Sequence, residues 1–148
     1  MKKVQALAAL LVVAATACVA LGGAGQKSAE EAAVRQTVEH YLHGLKHNDV
    51  ESLKKAFWSE AKLFFVTGDG KLGQLTQEDW YKSFAGSAGK VEEGDLRITA
   101  LEITGNAASV KVEEDYPNSK YTDYLSLLKL KGQWWIVNKI YTSERKSR

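Results

Sequence analysis

Apolar side chains recur at Val34, Val38, Tyr41, Leu42 and Leu45, and this spacing predicts a helix over Ser28–His47 with one buried face. A second, shorter helix is expected around Val50, Leu53, Ala56 and Phe57, and a third from Thr76 through Trp80, Tyr81 and Phe84. Each start carries the same chemistry: Ser28 with Glu31, Asn48 with Glu51, and Thr76 with Asp79 pair a capping side chain with a following acid. Such pairs satisfy amide groups left without partners in a first turn, and the acid suits the positive end of the helix dipole. Ala61–Val66 reads as a strand and Asp69-Gly70 as a turn.

After Gly86-Ser87-Ala88-Gly89 the period changes from helical to alternating. Strands are expected at Asp95–Thr104, Ala107–Tyr116, Lys120–Leu130 and Gln133–Thr142, joined by Gly105-Asn106, Pro117-Asn118 and Lys131-Gly132. Short connections make neighbouring strands antiparallel, so the order predicts an α+β domain with three helices collected on one face of a curved sheet. The last two strands are apolar on both faces, at Leu125, Leu127, Leu128 and Leu130 and again at Trp134, Trp135, Ile136, Val137 and Ile140. One face can cover the helices. The other needs a second cover, for which a twofold partner is the economical candidate and the segment 86–94 of the same chain the alternative.

Composition changes the picture mainly at the N-terminus. Met1-Lys2-Lys3, an apolar stretch from Val4 to Leu21 and the small residues Gly22-Gly23-Ala24-Gly25 have the form of a secretory leader. The expectation is a signal peptide over 1–25, one domain over 26–148, and a periplasmic or secreted location. Cys18 is the only cysteine and lies inside this leader. Lipidation through Cys18 is the alternative, disfavoured because Ala15 stands where a lipoprotein leader usually has a large aliphatic residue.

Lys2 and Lys3 account for the whole formal charge of +2, which leaves the domain neutral. A neutral domain lacks the electrostatic footprint of nucleic-acid binding, and the leader is too short and Ala-rich for a comfortable membrane span.

The helix Val38-Glu39-His40-Tyr41-Leu42-His43-Gly44-Leu45, Asn48-Asp49, Phe57, Leu75-Thr76, Thr122–Leu130 and Gly132-Gln133-Trp134-Trp135-Ile136-Val137-Asn138-Lys139 together resemble the nuclear transport factor 2-like superfamily, in its exported branch labelled putative lumazine-binding. The resemblance implies a cone: a strongly bent sheet wrapped around helices, open at one end onto an interior pocket, often dimeric through the outer sheet face. Relatives of this fold include ketosteroid isomerase, polyketide cyclases and non-enzymatic proteins, so fold alone does not decide function.

Candidate pocket residues are polar groups among apolar ones. Tyr41 lies on the buried helix face, so its hydroxyl needs a partner. Glu114 shares a side with Val110 and Val112, Asp123 alternates with Leu125 and Leu127, and Lys139 with Val137 and Trp135. An acid on an apolar strand face can have its pKa raised and act as a general base; the bland alternative puts these groups at the sheet rim. A two-residue turn at Lys131-Gly132 sets Asp123 opposite Ile140, a longer one sets it opposite Tyr141, and no Asp123–Lys139 ion pair follows from either count. Trp58, Phe65, Trp80 and Tyr116 are aromatic candidates for stacking on a flat ligand.

His40, His43 and His47 form one helical row on the side away from Val34, Val38, Tyr41 and Leu45, a solvated face rather than a metal site. No phosphate-cradling loop, serine elbow or cofactor motif is present. The expected function is therefore binding of a small, partly apolar molecule. The alternatives are an isomerase or cyclase with Glu114 or Asp123 as base and Tyr41 as donor to an oxyanion, and an interaction module without a pocket.

Overall fold

The computed structural model describes residues 18–147, so most of the expected leader lies outside the described residues. The chain runs α1 (Cys18–His47), α2 (Val50–Ala56), β1 (Phe57–Val66), β2 (Leu72–Thr76), α3 (Gln77–Lys82), β3 (Asp95–Thr104), β4 (Ala107–Asp115), β5 (Ser119–Leu130) and β6 (Gln133–Arg145). No described helix is long and apolar enough to cross a membrane.

Helix α1 buries Val34, Val38, Tyr41, Leu42 and Leu45, the face that the spacing marks out. It begins upstream of Ser28, which therefore sits inside the helix and caps nothing. Its early turns are fastened to the β5–β6 end of the sheet: Glu30 accepts from Lys129 Nζ at 2.5 Å and from Trp134 Nε1 at 2.8 Å. The cap of α2 is Asp49, not Asn48, and its carboxylate accepts from the amides of Glu51 and Ser52. Asn48 instead takes a left-handed conformation, φ 50°, that turns the chain between the helices; asparagine tolerates this better than most residues. Thr76 caps α3 as expected, accepting from the amide of Asp79 at 3.2 Å.

The sheet has six strands in the order β2-β1-β6-β5-β4-β3. The four late strands pair antiparallel as predicted, whereas β1 joins β6 in parallel, with Leu63 opposite Lys139 and Phe64 opposite Ile140. Phe57 opens β1 instead of closing α2, and β2 is a strand that the sequence pattern does not reveal. The concave face packs on the helices around Leu53, Leu63, Val110, Leu125 and Ile136, all at most 1% exposed.

The β5–β6 hairpin decides which side chains enter the cone. Leu130 stands opposite Gln133, so the turn is the two-residue one, with positive φ at Lys131 and Gly132. Asp123 nevertheless stands opposite Tyr141, because the register shifts between Ser126 and Leu127 and Val137 has no partner. This bulge inverts the alternation of β6: Trp134 and Ile136 point inward before it and Lys139 after it. Lys139 therefore does not share the side of Trp135 and Val137, as simple alternation would have it.

Candidate functional site

Four elements each deliver one polar group to the same point inside the cone: Tyr41 from α1, Glu114 from β4, Asp123 from β5 and Lys139 from β6. All four are at most 4% exposed. Lys139 Nζ donates to the Tyr41 hydroxyl oxygen at 2.6 Å and pairs with Asp123 Oδ2 at 2.7 Å. The Tyr41 hydroxyl has one proton to give, to Glu114 Oε1 at 2.8 Å or to Asp123 Oδ2. The Tyr116 hydroxyl donates to Glu114 Oε2 at 3.3 Å. Lys139 Nζ also lies over the rings of Tyr41, Trp80 and Tyr141, at 5.1, 5.5 and 4.8 Å from their centroids.

Burial dominates the electrostatics. It pushes the Glu114 pKa up to about 8, with the Asp123 charge adding and the Lys139 charge opposing. Burial thus favours the protonated form of Glu114. Burial first, then the charges of Asp123 and Glu114, holds the Tyr41 phenol well above its ordinary value. Asp123 Oδ1 is buried with no hydrogen-bond partner.

Above this cluster opens a cavity of about 680 Å³. Glu114 and Lys139 reach its floor, and Trp80, Tyr116, Tyr121 and Tyr141 form its walls. The rim includes Glu92 and Glu93, on a loop fastened to the end of α1: Asn48 Nδ2 donates to Lys90 O at 2.8 Å and to Glu92 Oε1 at 2.9 Å, and the Glu92 amide to Lys46 O at 2.8 Å. The segment 86–94 therefore edges the cavity mouth and does not fold over the outer sheet face.

Of the candidates read from sequence, Tyr41, Trp80, Glu114, Tyr116, Asp123 and Lys139 come together here, Tyr41 and Asp123 just behind the floor. Trp58 and Phe65 do not. Trp58 meets Trp135 edge-on, ring centroids 5.9 Å apart, beside a different hollow. Phe65 tilts against Tyr141 at 5.3 Å and borders a third hollow with Val66, Leu72 and Ile140. Tyr121 and Tyr141 were not among the candidates. Each lies two residues from one, Asp123 and Lys139, so alternation along the strand finds both. His43 and His47 stack at 4.4 Å, and His43 Nδ1 lies 3.7 Å from Asp49 Oδ2. Among the described residues no group of three or more His, Cys, Asp or Glu is placed to hold a metal.

This fold is that of a nuclear transport factor 2-like cone. Residues 29–142 match the family described as putative lumazine-binding, and the chain belongs to that family. Among solved structures it is similar to a nuclear transport factor 2-like protein of unknown function from Shewanella baltica OS155, at 28% identity over 80% of this chain and 97% of that one, TM-score 0.73. A second such protein, from Methylobacillus flagellatus KT, is 28% identical over 78% and 92% of the two chains, TM-score 0.67. Among curated proteins it is similar to Aldolase FrzH from a Cladobotryum species, at 26% identity over 78% of this chain and 93% of the relative.

Proposed function

We propose that the protein binds a small, partly apolar molecule in the cavity above Glu114 and Lys139. The observation that carries this reading is the composition of that cavity: aromatic walls over a floor with two polar groups held in fixed positions, the usual make-up of a small-molecule site. The experiment is a thermal-shift screen of the chain against small cyclic ketones, flavin-like heterocycles and sterols, with hits repeated on Trp80→Ala. Stabilisation of the wild type that the variant loses supports the reading. A screen with no hit, or with hits the variant keeps, overturns it.

A second reading, proton transfer on a carbonyl-bearing ligand, is favoured by the convergence of the hydroxyl of Tyr41 with two acids and an amine. Glu114, the acid of the cluster that reaches the cavity, would in its ionised form take the proton next to the carbonyl, its raised pKa making it a stronger base than an ordinary carboxylate, and the Lys139 ammonium would stabilise the enolate oxygen that forms. Tyr41 is tied to Glu114, Asp123 and Lys139 and acts through them as a positioning residue. That a relative is named an aldolase fits, since aldol chemistry begins with such an enolate. Exchange of the α-protons of cyclohexanone in D2O, followed by NMR, tests it: exchange no faster than with Glu114→Gln would eliminate this chemistry for that substrate class.

Export and self-association complete the proposal. The leader pattern of 1–25 supports a periplasmic or secreted location, checked by N-terminal sequencing of protein recovered from the cell exterior. The exposed apolar outer sheet supports a homodimer through that face.

A further inference from the structure

The cavity above Glu114 and Lys139 differs in charge between its floor and its mouth. At the floor the Lys139 ammonium is matched by Asp123 Oδ2 at 2.7 Å, and burial favours the protonated form of Glu114, so little net charge remains there. At the mouth Glu92 and Glu93 both line the cavity, the first half-buried and the second exposed. Among the described residues neither has a salt-bridge partner. The lysines close to them in the fold are turned to carbonyl groups: Lys46 Nζ donates to Gly94 O at 2.8 Å and Lys90 Nζ to Gly86 O at 3.2 Å.

Glu92 is also held in position. Its Oε1 accepts from Nδ2 of Asn48, a residue only 7% exposed, at 2.9 Å, and its amide donates to Lys46 O at 2.8 Å. Its Oε2 takes no hydrogen bond from the described residues and is open to solvent. An aromatic wall stands beside this loop. Gly94 packs so closely on Tyr116 that a methyl group there would lie 3.0 Å from Tyr116 Cδ1. The Tyr116 phenol is pushed up by burial first and then by Glu114, Asp123 and Glu92, so the Glu92 charge is felt at that ring. A fixed carboxylate with a free oxygen, a second carboxylate next to it and an aromatic ring suit an alkylammonium, through charge-assisted hydrogen bonds and cation–π contact. An anionic ligand would have to pass two unmatched negative charges to enter.

We propose that the cavity takes amines: molecules whose apolar, ring-sized body lies inward against Trp80 and whose protonated amine stays at the mouth, on Glu92, Glu93 and the ring of Tyr116. This rests on the small-molecule function proposed above and adds the charge of the ligand and its orientation.

Probes that share one indole body separate the possibilities: tryptamine carries the amine, 3-ethylindole no charge and indole-3-propionate a carboxylate. Each is titrated into the isotope-labelled chain while the indole N–H signal of Trp80, assigned with Trp80→Phe, is followed. Tryptamine is expected to bind about fivefold tighter than 3-ethylindole, the upper range for a partly exposed charge pair, and indole-3-propionate to bind weakest. Glu92→Gln together with Glu93→Gln removes both charges and still offers Asn48 an amide oxygen. This double variant should erase the advantage of tryptamine and leave 3-ethylindole unchanged. Tryptamine no tighter than 3-ethylindole, or an advantage that survives the double variant, overturns the amine assignment while the cavity stands as a small-molecule site. If no probe moves Trp80 at millimolar concentration, the assignment falls as well, and the thermal-shift screen judges the cavity itself.

Discussion

Asp123 and Lys139 are almost wholly removed from water, and each holds the other's charge in place. Removing one partner of such a pair costs more than removing both, because it strands a buried charge. Asp123→Asn is expected to lower stability by about 3–5 kcal/mol, measured by urea unfolding. The double variant Asp123→Leu with Lys139→Met should be less destabilised than Asp123→Leu alone. If the double variant is the worse of the two, the pair contributes through something other than mutual charge compensation.

Glu114 gives a pH dependence with a definite sign. Its pKa is about 8 in the fold against an ordinary 4.5, so between these values the folded chain keeps a proton that the unfolded chain releases. Folding is then favoured by acid: this group's contribution is fully present below about pH 4.5 and is lost as pH rises through 8. Glu114→Gln removes the titration and should flatten stability against pH across that window. A slope unchanged by the variant would mean that Glu114 is ionised in the native protein at neutral pH.

At the scale of the elements, α1 and α2 meet at Gly44. A methyl group there would fall 2.4 Å from Leu53 Cδ2 and 3.0 Å from the carbonyl oxygen of Asp49. Leu53 is fully buried, so it has nowhere to move. Gly44→Ala is expected to cost about 1–3 kcal/mol despite its better helix propensity, by the same unfolding measurement. A neutral or stabilising result would show that the two helices can part.

The elements also show where the sequence is informative. The apolar row from Val34 to Leu45 names the buried face of α1, and alternation names the inward side of β4 through Val110, Val112 and Glu114. Both are local patterns with one regular period. Lys139 was grouped with the wrong neighbours because one unpaired residue, Val137, inverts the alternation, and nothing in Trp135-Ile136-Val137-Asn138 marks which residue the ladder will skip. Strand β2 stayed hidden for a related reason: Leu72–Thr76 is a short edge strand with only Gly73 buried, so it has almost no apolar period to display. The convergence of Tyr41, Glu114, Asp123 and Lys139 depends on that bulge and on pairings between distant segments. The sequence could supply the four names but not their meeting.

At the scale of the whole molecule, the outer sheet face carries a continuous apolar stripe. Leu72 pairs across with Val66, Phe64 with Ile140, and Ile140 with Tyr124, and these pairs present side chains to one side. Val66 and Leu72 are 73% and 75% exposed, and Tyr124 and Ile140 about half. The chain's own candidate cover, the segment 86–94, is held at the cavity mouth through Asn48 and Lys46. A second copy related by a twofold axis can set the same stripe against itself, which is the economical way for a monomer of this size to hide such a face. The expected result of sedimentation at micromolar concentration is a dimer, and Ile140→Lys together with Leu72→Lys should shift it to monomer. Both substitutions lie on the side of the sheet away from Lys139 and Tyr141, so ligand binding above Glu114 should survive dissociation. A wild-type chain that stays monomeric at every concentration tested would leave the stripe exposed in solution and remove the dimer.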